Sequence, residues 1–167
     1  MKKILLDVKR SSTSILLLFI VVNFLGLLFA LIVFYDKQNI HKINNEDYIE
    51  TKGDISYVID SVDYNEDSIS IIGWAYKMGQ DIKNYDTEIV LNNITTNEFI
   101  TIPTDMVIRK DVTEFFNDGF NYDCSGFSSK VLNRKLNRND TYNIYILYRN
   151  DSHNYLIKTD GIVKIGE

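Results

Sequence analysis

The chain has 167 residues and a formal net charge of −5, which leaves room for one domain of ordinary size beside any anchoring segment. The first 35 residues carry four basic side chains against one acidic one, so the remainder of the chain carries a net charge of −8. An acidic main part argues against nucleic-acid binding, and the single cysteine, Cys124, excludes an internal disulfide.

An apolar run occupies residues 15–34, and its sequence is ILLLFIVVNFLGLLFALIVF. At about 1.5 Å of rise per residue it would form a helix of about 30 Å, the thickness of a bilayer's hydrocarbon core. A helix satisfies its own backbone hydrogen bonds, so it can cross lipid. The sequence therefore predicts a transmembrane helix over residues 15–35, preceded by a tail of residues 1–14.

The charges beside this helix predict its orientation. Basic residues that flank a first apolar helix favour the cytoplasmic side, and those of the tail are Lys2, Lys3, Lys9 and Arg10. We therefore expect a single-pass protein of the cell membrane, with its N-terminus inside and its C-terminal domain outside.

A cleaved signal peptide is the alternative for the same stretch. Its apolar region usually has about 7–15 residues and ends in a small-x-small cleavage site. Here the apolar run is longer, and five bulky residues follow Ala30. These features favour an uncleaved anchor.

One face of the predicted helix carries small and polar residues. Asn23, Gly26 and Ala30 are spaced to lie on the same side. A small-xxx-small pair allows a second helix to approach closely, and an asparagine can hydrogen-bond across such a contact. The helix is thus predicted to contact lipid and to associate with itself or with another membrane protein. Chance placement of common residues is the alternative.

Residues 36–53 are polar and predict a stalk. From residue 54 onward, short runs of β-branched and aromatic residues alternate with Asn, Asp, Gly and Ser clusters, which predicts strands and turns. The predicted strands are residues 55–62, 68–76, 87–91, 98–102, 127–132, 142–148, 155–159 and 162–165. Seven or eight short strands favour an all-β fold, namely an immunoglobulin-like antiparallel β-sandwich over residues 54–167.

The strand over residues 142–148 shows the clearest alternation of apolar side chains. Alternate residues of a strand point to the same face of a sheet. The residues expected to face the core are Tyr142, Ile144, Ile146 and Tyr148.

A single helical turn is predicted at residues 109–117, RKDVTEFFN, with Asp111 as its cap and Glu114 reaching back to the cap. Arg109 is close enough to Asp111 for an ion pair that braces the turn, and an anion-binding site is the alternative. Trp74 is expected to cover the core, and its alternative is a platform for stacking sugars.

The sequence offers no catalytic set, metal-ligand cluster or cofactor-binding loop. We therefore expect a protein that is not an enzyme and that has neither a cofactor nor a metal. A local basic run, formed by Lys130, Arg134, Lys135 and Arg138, interrupts the acidic domain. Such a run is most often a solvated surface, and the functional alternative is contact with an anionic wall polymer or with lipid headgroups.

Three short segments resemble a known pattern. They are IIGWA at residues 71–75, RKDV at residues 109–112 and GF at residues 126–127. They are similar to I-x-G-W-A, R-x-D-V and G-F in a small β-sandwich domain of bacterial envelope proteins, which is attached to some glycosyltransferases of surface polysaccharides. The resemblance covers residues 53–165. It implies an accessory or glycan-associated role and offers no catalytic residues to carry over.

The leading hypothesis is a membrane-anchored, non-enzymatic binding or accessory protein of bacterial surface-polysaccharide assembly. Its partner would be a membrane enzyme, which would supply the catalysis, or a cell-surface glycan. The alternatives are an exported hydrolase that uses carboxylate pairs, and a purely structural surface protein.

Overall fold

The computed structural model describes residues 2–50, 55–83, 86–150 and 153–166. The chain forms two compact units, Met1–Asn39 and Ile40–Glu167. We call the second unit the two-sheet domain.

The first unit is one long helix, α1 (Lys2–Lys37). Within it, Ile15–Asp36 is a run of 22 residues with a mean hydropathy of 3.0, and none of this run is buried. The helix predicted over residues 15–35 therefore forms. By length and composition it is suited to a membrane anchor or to a signal sequence.

The two-sheet domain contains ten strands and one short helix, α2 (Lys110–Phe116), among the described residues. The strands are β1 (His41–Ile43), β2 (Ile49–Glu50), β3 (Ile55–Tyr64), β4 (Ser68–Lys77), β5 (Asp86–Asn93), β6 (Phe99–Ile102), β7 (Thr104–Val107), β8 (Gly126–Leu132), β9 (Thr141–Asn150) and β10 (His153–Lys164).

The strands form a six-stranded sheet in the order β1-β6-β5-β9-β10-β2 and a four-stranded sheet in the order β3-β4-β8-β7. Neighbouring strands are antiparallel, except that β2 runs parallel to β10. The predicted fold of antiparallel sheets behind an apolar N-terminal helix is thus confirmed at this level.

Both sheets contribute to one hydrophobic core. Ile69, Ile71 and Phe127 come from the four-stranded sheet, while Ile89 and Ile144 come from the six-stranded sheet, and all five are buried almost completely. The prediction for β9 is confirmed, since the core contains all four of its alternating residues, Tyr142, Ile144, Ile146 and Tyr148.

The sequence placed the start of the domain too late. Residues 40–50, which were assigned to a stalk, belong to the two-sheet domain. Within them β1 pairs with β6, and β2 pairs with β10. Both strands lie at the edges of the six-stranded sheet, where polar side chains reach solvent and the alternation that reveals a strand is weak. Of the remaining stalk residues, 36–39 belong to the first unit, and 51–53 lie outside the described residues.

Two further strand predictions are corrected. The short β7 was missed, and the strands predicted at 155–159 and 162–165 are the single strand β10. At Asp160-Gly161, where a turn was expected, the pairing of β10 with β9 shifts register. Thr159 stabilises this irregularity, because its hydroxyl donates to the carbonyl of Ile144 at 2.8 Å and accepts from the amide of Gly161 at 3.1 Å.

Gly73 allows β3, β4 and β8 to approach closely. A Cβ at this position would lie 2.2 Å from the carbonyl oxygen of Val58 and 2.8 Å from the ring of Phe127. The first of these neighbours is backbone, so it cannot rotate away. The packing of the sheet therefore leaves no room for any residue other than glycine at this position.

We expect Gly73→Ala to lower the free energy of unfolding by about 1–3 kcal/mol, because the added methyl group overpacks the sheet. Gly161→Ala is the matched control, since its Cβ would meet side-chain atoms and no backbone, namely the end of Ile144 at 3.0 Å and the hydroxyl oxygen of Thr159 at 3.4 Å. The free energy of unfolding of each variant is measured by urea unfolding of the full chain in mild detergent. Unfolding is followed by the fluorescence emission of Trp74, the only tryptophan. Equal losses for the two variants would contradict this account.

Candidate functional site

The three segments of the sequence pattern meet on the outer face of the four-stranded sheet. Trp74 of β4 is paired with Gly126 of β8, and Gly126 is paired with Val107 of β7. Arg109 follows Val107 by two residues and begins the segment that contains α2. The structure thus brings Arg109, Asp111 and Trp74 into one region.

The aliphatic part of Arg109 lies on Gly126. A Cβ at Gly126 would be 2.5 Å from the Cγ of Arg109 and 2.5 Å from the carbonyl oxygen of Val107. Any larger residue would displace the arginine side chain. The G-F segment therefore provides the surface that Arg109 crosses.

The guanidinium of Arg109 binds two carboxylates. Its Nε donates to Oδ1 of Asp111 at 2.9 Å, and its Nη2 donates to Oδ2 of Asp111 at 2.7 Å. Its Nη1 donates to Oδ2 of Asp60 at 2.5 Å. Asp60 lies where the pairing of β3 with β4 shifts register. Arg109 thus links the segment after β7 to β3, at the opposite edge of the four-stranded sheet.

These contacts change the acidity of both partners. The hydrogen bonds to Asp111 raise the pKa of Arg109 above its usual value. The same hydrogen bonds lower the pKa of Asp111 below its usual value of 3.8. The Arg109 side chain is only 23% exposed, whereas that of Asp111 is 64% exposed, so solvent weakens the pair from the aspartate side.

The predicted cap of the helical turn is wrong. Helix α2 begins at Lys110, Arg109 holds the position before it, and no side-chain hydrogen bond caps the first turn. Asp111 lies inside the helix, where its carboxylate is bound by Arg109. A charged, two-point contact with a guanidinium competes effectively with a single hydrogen bond to a backbone amide.

Helix α2 covers an aromatic cluster on the same face of the sheet. Tyr76, Val112 and Tyr122 are buried, and Trp74 and Phe116 pack against them. The ring centroids of Trp74 and Tyr76 are 5.6 Å apart, and those of Tyr76 and Tyr122 are 4.1 Å apart. Trp74 is half-buried and packs against this smaller core cluster, whereas the main core does not include it.

Tyr122 anchors the loop that follows α2. Its hydroxyl donates to Oδ2 of Asp118 at 2.7 Å and accepts from the amide of Gly79 at 3.0 Å. Burial, together with the bond to Asp118, raises the pKa of Tyr122 to about 12. The tyrosine therefore remains neutral and acts as a fixed hydrogen-bonding group.

The residues proposed for helix association lie in the other unit. Asn23, Gly26 and Ala30 are all exposed on α1. Nδ2 of Asn23 donates to the carbonyl of Phe19 at 2.8 Å, so one of its amide protons is used within the helix. No atom outside the helix's own backbone lies within 4 Å of a Cβ placed on Gly26. This face is open to a second helix.

Sequence reasoning missed Asp60 and the contact role of Gly126. Asp60 is 49 residues away from Arg109 in the chain, and it stands in a strand at an irregular position that alternation does not reveal. Among the described residues, no group of three or more His, Cys, Asp or Glu side chains is placed to hold a metal ion.

The Arg109–Asp111 pair predicts an acid-sensitive contribution to stability. Because Asp111 has a lower pKa in the folded chain than in the unfolded one, its contribution is complete above about pH 5 and is lost as the pH falls through the folded-state pKa, which lies below 3.8. Urea unfolding across this range, followed by the emission of Trp74, should show a shallower loss for Arg109→Met than for the wild type.

The matched control for this experiment is Lys42→Met, which breaks the exposed Lys42–Glu98 ion pair instead. We expect this variant to keep the wild-type slope, since exposed pairs contribute little. An unchanged slope in Arg109→Met would show that the pair does not act in this way.

No protein-family model matches this chain, and no curated protein matches it either. A function is therefore inferred from the residues on the outer face of the four-stranded sheet and from the apolar helix α1.

Proposed function

We propose that this chain is a single-pass membrane protein that presents an immunoglobulin-like β-sandwich outside the cell membrane. It acts as a non-enzymatic binding or accessory protein in bacterial surface-polysaccharide assembly, and it engages a membrane enzyme or a glycan. The observation that carries the proposal is the helix Ile15–Asp36, whose apolar side chains are all exposed.

An exposed apolar helix of this length requires lipid. Each large apolar side chain that leaves water contributes about 1.5–3 kcal/mol, and the 22-residue run would span about 33 Å. That length matches a bilayer core. The basic residues before the run favour a cytoplasmic N-terminus, which leaves the acidic two-sheet domain outside.

The strand order supports the immunoglobulin-like arrangement. Such folds place strands A-B-E-D in one sheet and C-F-G in the other, and some types add a C′ strand beside C. Taken in chain order from β3, the four-stranded sheet β3-β4-β8-β7 has the order A-B-E-D. Within the other sheet, β6-β5-β9-β10 has the order C′-C-F-G. On this reading β1 and β2 are additions at the sheet edges.

The accessory role draws on the resemblance to envelope β-sandwich domains. The segments that carry it serve the fold: Gly73 permits close strand packing, Gly126 supports Arg109, and Arg109 binds Asp60 and Asp111. Because the residues of the pattern stabilise the fold, the pattern is typical of a scaffold domain. The open face of α1 suits a membrane-protein partner, and an exported scaffold suits recruitment of an enzyme or a polymer.

The helix face gives the sharpest test. We expect the double variant Gly26→Leu/Ala30→Leu to release a polysaccharide-assembly enzyme that co-purifies with the wild-type chain in mild detergent, because two bulky side chains prevent close helix packing. The proteins that accompany each variant are identified and quantified by mass spectrometry.

Val21→Leu is the control for this test, since it adds bulk on the opposite face of α1 and should leave the co-purified partner unchanged. If the wild-type chain comes out of its native membrane alone, or if both variants release the partner equally, the association through this helix face is refuted.

A further inference from the structure

An open groove lies at one end of the two-sheet domain and has a volume of about 1070 Å³. Three segments form it: the β3–β4 turn at Glu66 and Asp67, the connection between β8 and β9, and the chain after β10 at Ile165 and Gly166. It is separate from the Arg109 region described above, because none of the residues of that region lines it.

The walls of the groove are held together by hydrogen bonds. The amide of Asn133 donates to the carbonyl of Asp67 at 2.9 Å, and its Nδ2 donates to the carbonyl of Glu66 at 3.2 Å. On the opposite side, the amide of Asn139 donates to the carbonyl of Ile165 at 3.1 Å. The groove is therefore formed by the fold itself, before any ligand binds.

The arginines of the domain fall into two kinds. Arg109 and Arg149 each bind two carboxylates, Asp60 and Asp111 for the first and Asp86 and Glu88 for the second. Within the described part of the chain, Arg134 and Arg138 have no carboxylate partner, although both line the groove.

This difference is unexpected in so acidic a domain. Residues 36–167 carry a net charge of −8, so carboxylates are abundant on the surface. Two exposed guanidinium groups that remain unpaired in one groove are available to an external anion. A guanidinium binds phosphate and carboxylate in two-point geometry.

The other lining residues suit a chain of hydroxyl groups. Asn137 and Asn139 provide side-chain amides, while the half-buried Leu132 provides apolar surface. The Nδ2 of Asn137 also donates to Oδ2 of Asp140 at 3.1 Å, which leaves its second proton and its amide oxygen for a ligand. Tyr64 lies close to the groove, because its hydroxyl accepts from the amide of Lys164, next to Ile165, at 3.4 Å. Its side chain is 55% exposed. Amides that bind hydroxyls, beside apolar and aromatic surfaces for C–H groups, are suited to sugars.

We propose that this groove binds a segment of an anionic glycan, with Arg134 and Arg138 on its phosphate or carboxylate groups and the asparagines on its hydroxyls. The choice of a glycan rests on the proposed function. A lipid surface fits less well, because Glu66 and Asp67 also line the groove. A single polymer chain can place its anionic groups on the arginines alone, whereas a sheet of anionic headgroups would also lie against these carboxylates.

The test measures binding of the full chain, in neutral detergent, to three polymers of similar length: polygalacturonate, poly(glycerol phosphate) and neutral dextran. We expect one or both anionic polymers to bind and dextran to bind at least about tenfold more weakly. Arg134→Gln/Arg138→Gln should weaken anionic binding about tenfold or more, as two charge-assisted contacts are lost.

The control is Lys130→Gln/Lys158→Gln, which removes the same charge from exposed lysines that do not line the groove. Lys130 belongs to the same basic run in the sequence, so this variant separates the groove from general electrostatic attraction. It should change the affinity less than about twofold.

Several outcomes would overturn the proposal: no binding of either anionic polymer, equal binding of dextran, or equal loss in the two double variants. Preference for the carboxylated or the phosphorylated polymer identifies the anionic group. If no polymer binds while a membrane enzyme still co-purifies through Gly26 and Ala30, the groove proposal fails and the accessory role stands.

Discussion

The ion pairs of Arg109 hold α2 against the outer face of the four-stranded sheet. A helix of seven residues is not stable alone, so it depends on contacts at its start and along one side. Arg109 provides the first through Asp60 and Asp111, and Val112 provides the second by packing into the aromatic cluster. Without α2, the large side chains on this face would be exposed to water. The covered outer face of this sheet thus depends on the Arg109 guanidinium together with the packing of Val112.

One glycine of the sequence pattern makes that interaction geometrically feasible, and another permits close packing of the strands. Gly126 leaves room for the stem of Arg109, and Gly73, one position away on the paired strand, leaves room for β3 and Phe127. Each tolerates no Cβ because a backbone carbonyl lies within 2.5 Å of that position. A pattern of this kind reports the packing of a sheet face. It is therefore informative about fold and uninformative about catalysis.

The sequence predicted those parts of the fold that follow from short-range periodicity. The alternation in β9 identified its core face, and the apolar run identified α1. The edge strands β1 and β2 are short and polar, and they exist only because β6 and β10 offer free edges. In the candidate site, the Arg109–Asp111 contact could be predicted because its partners are two residues apart. The contact with Asp60 depends on an irregular pairing between distant segments, which no local pattern encodes.

The charge distribution has a consequence for how the proposed groove would act. A domain with a surplus of negative charge repels an anionic polymer that comes within about a Debye length of its surface, about 8 Å in physiological salt, and farther away the repulsion is screened. Attraction then exists only within the groove, where Arg134 and Arg138 lie close to the ligand. Such an arrangement does not accelerate encounter, as a basic surface would. Instead it restricts binding to chains that enter the groove, which favours selectivity for one polymer over general adhesion to the anionic materials of a cell surface.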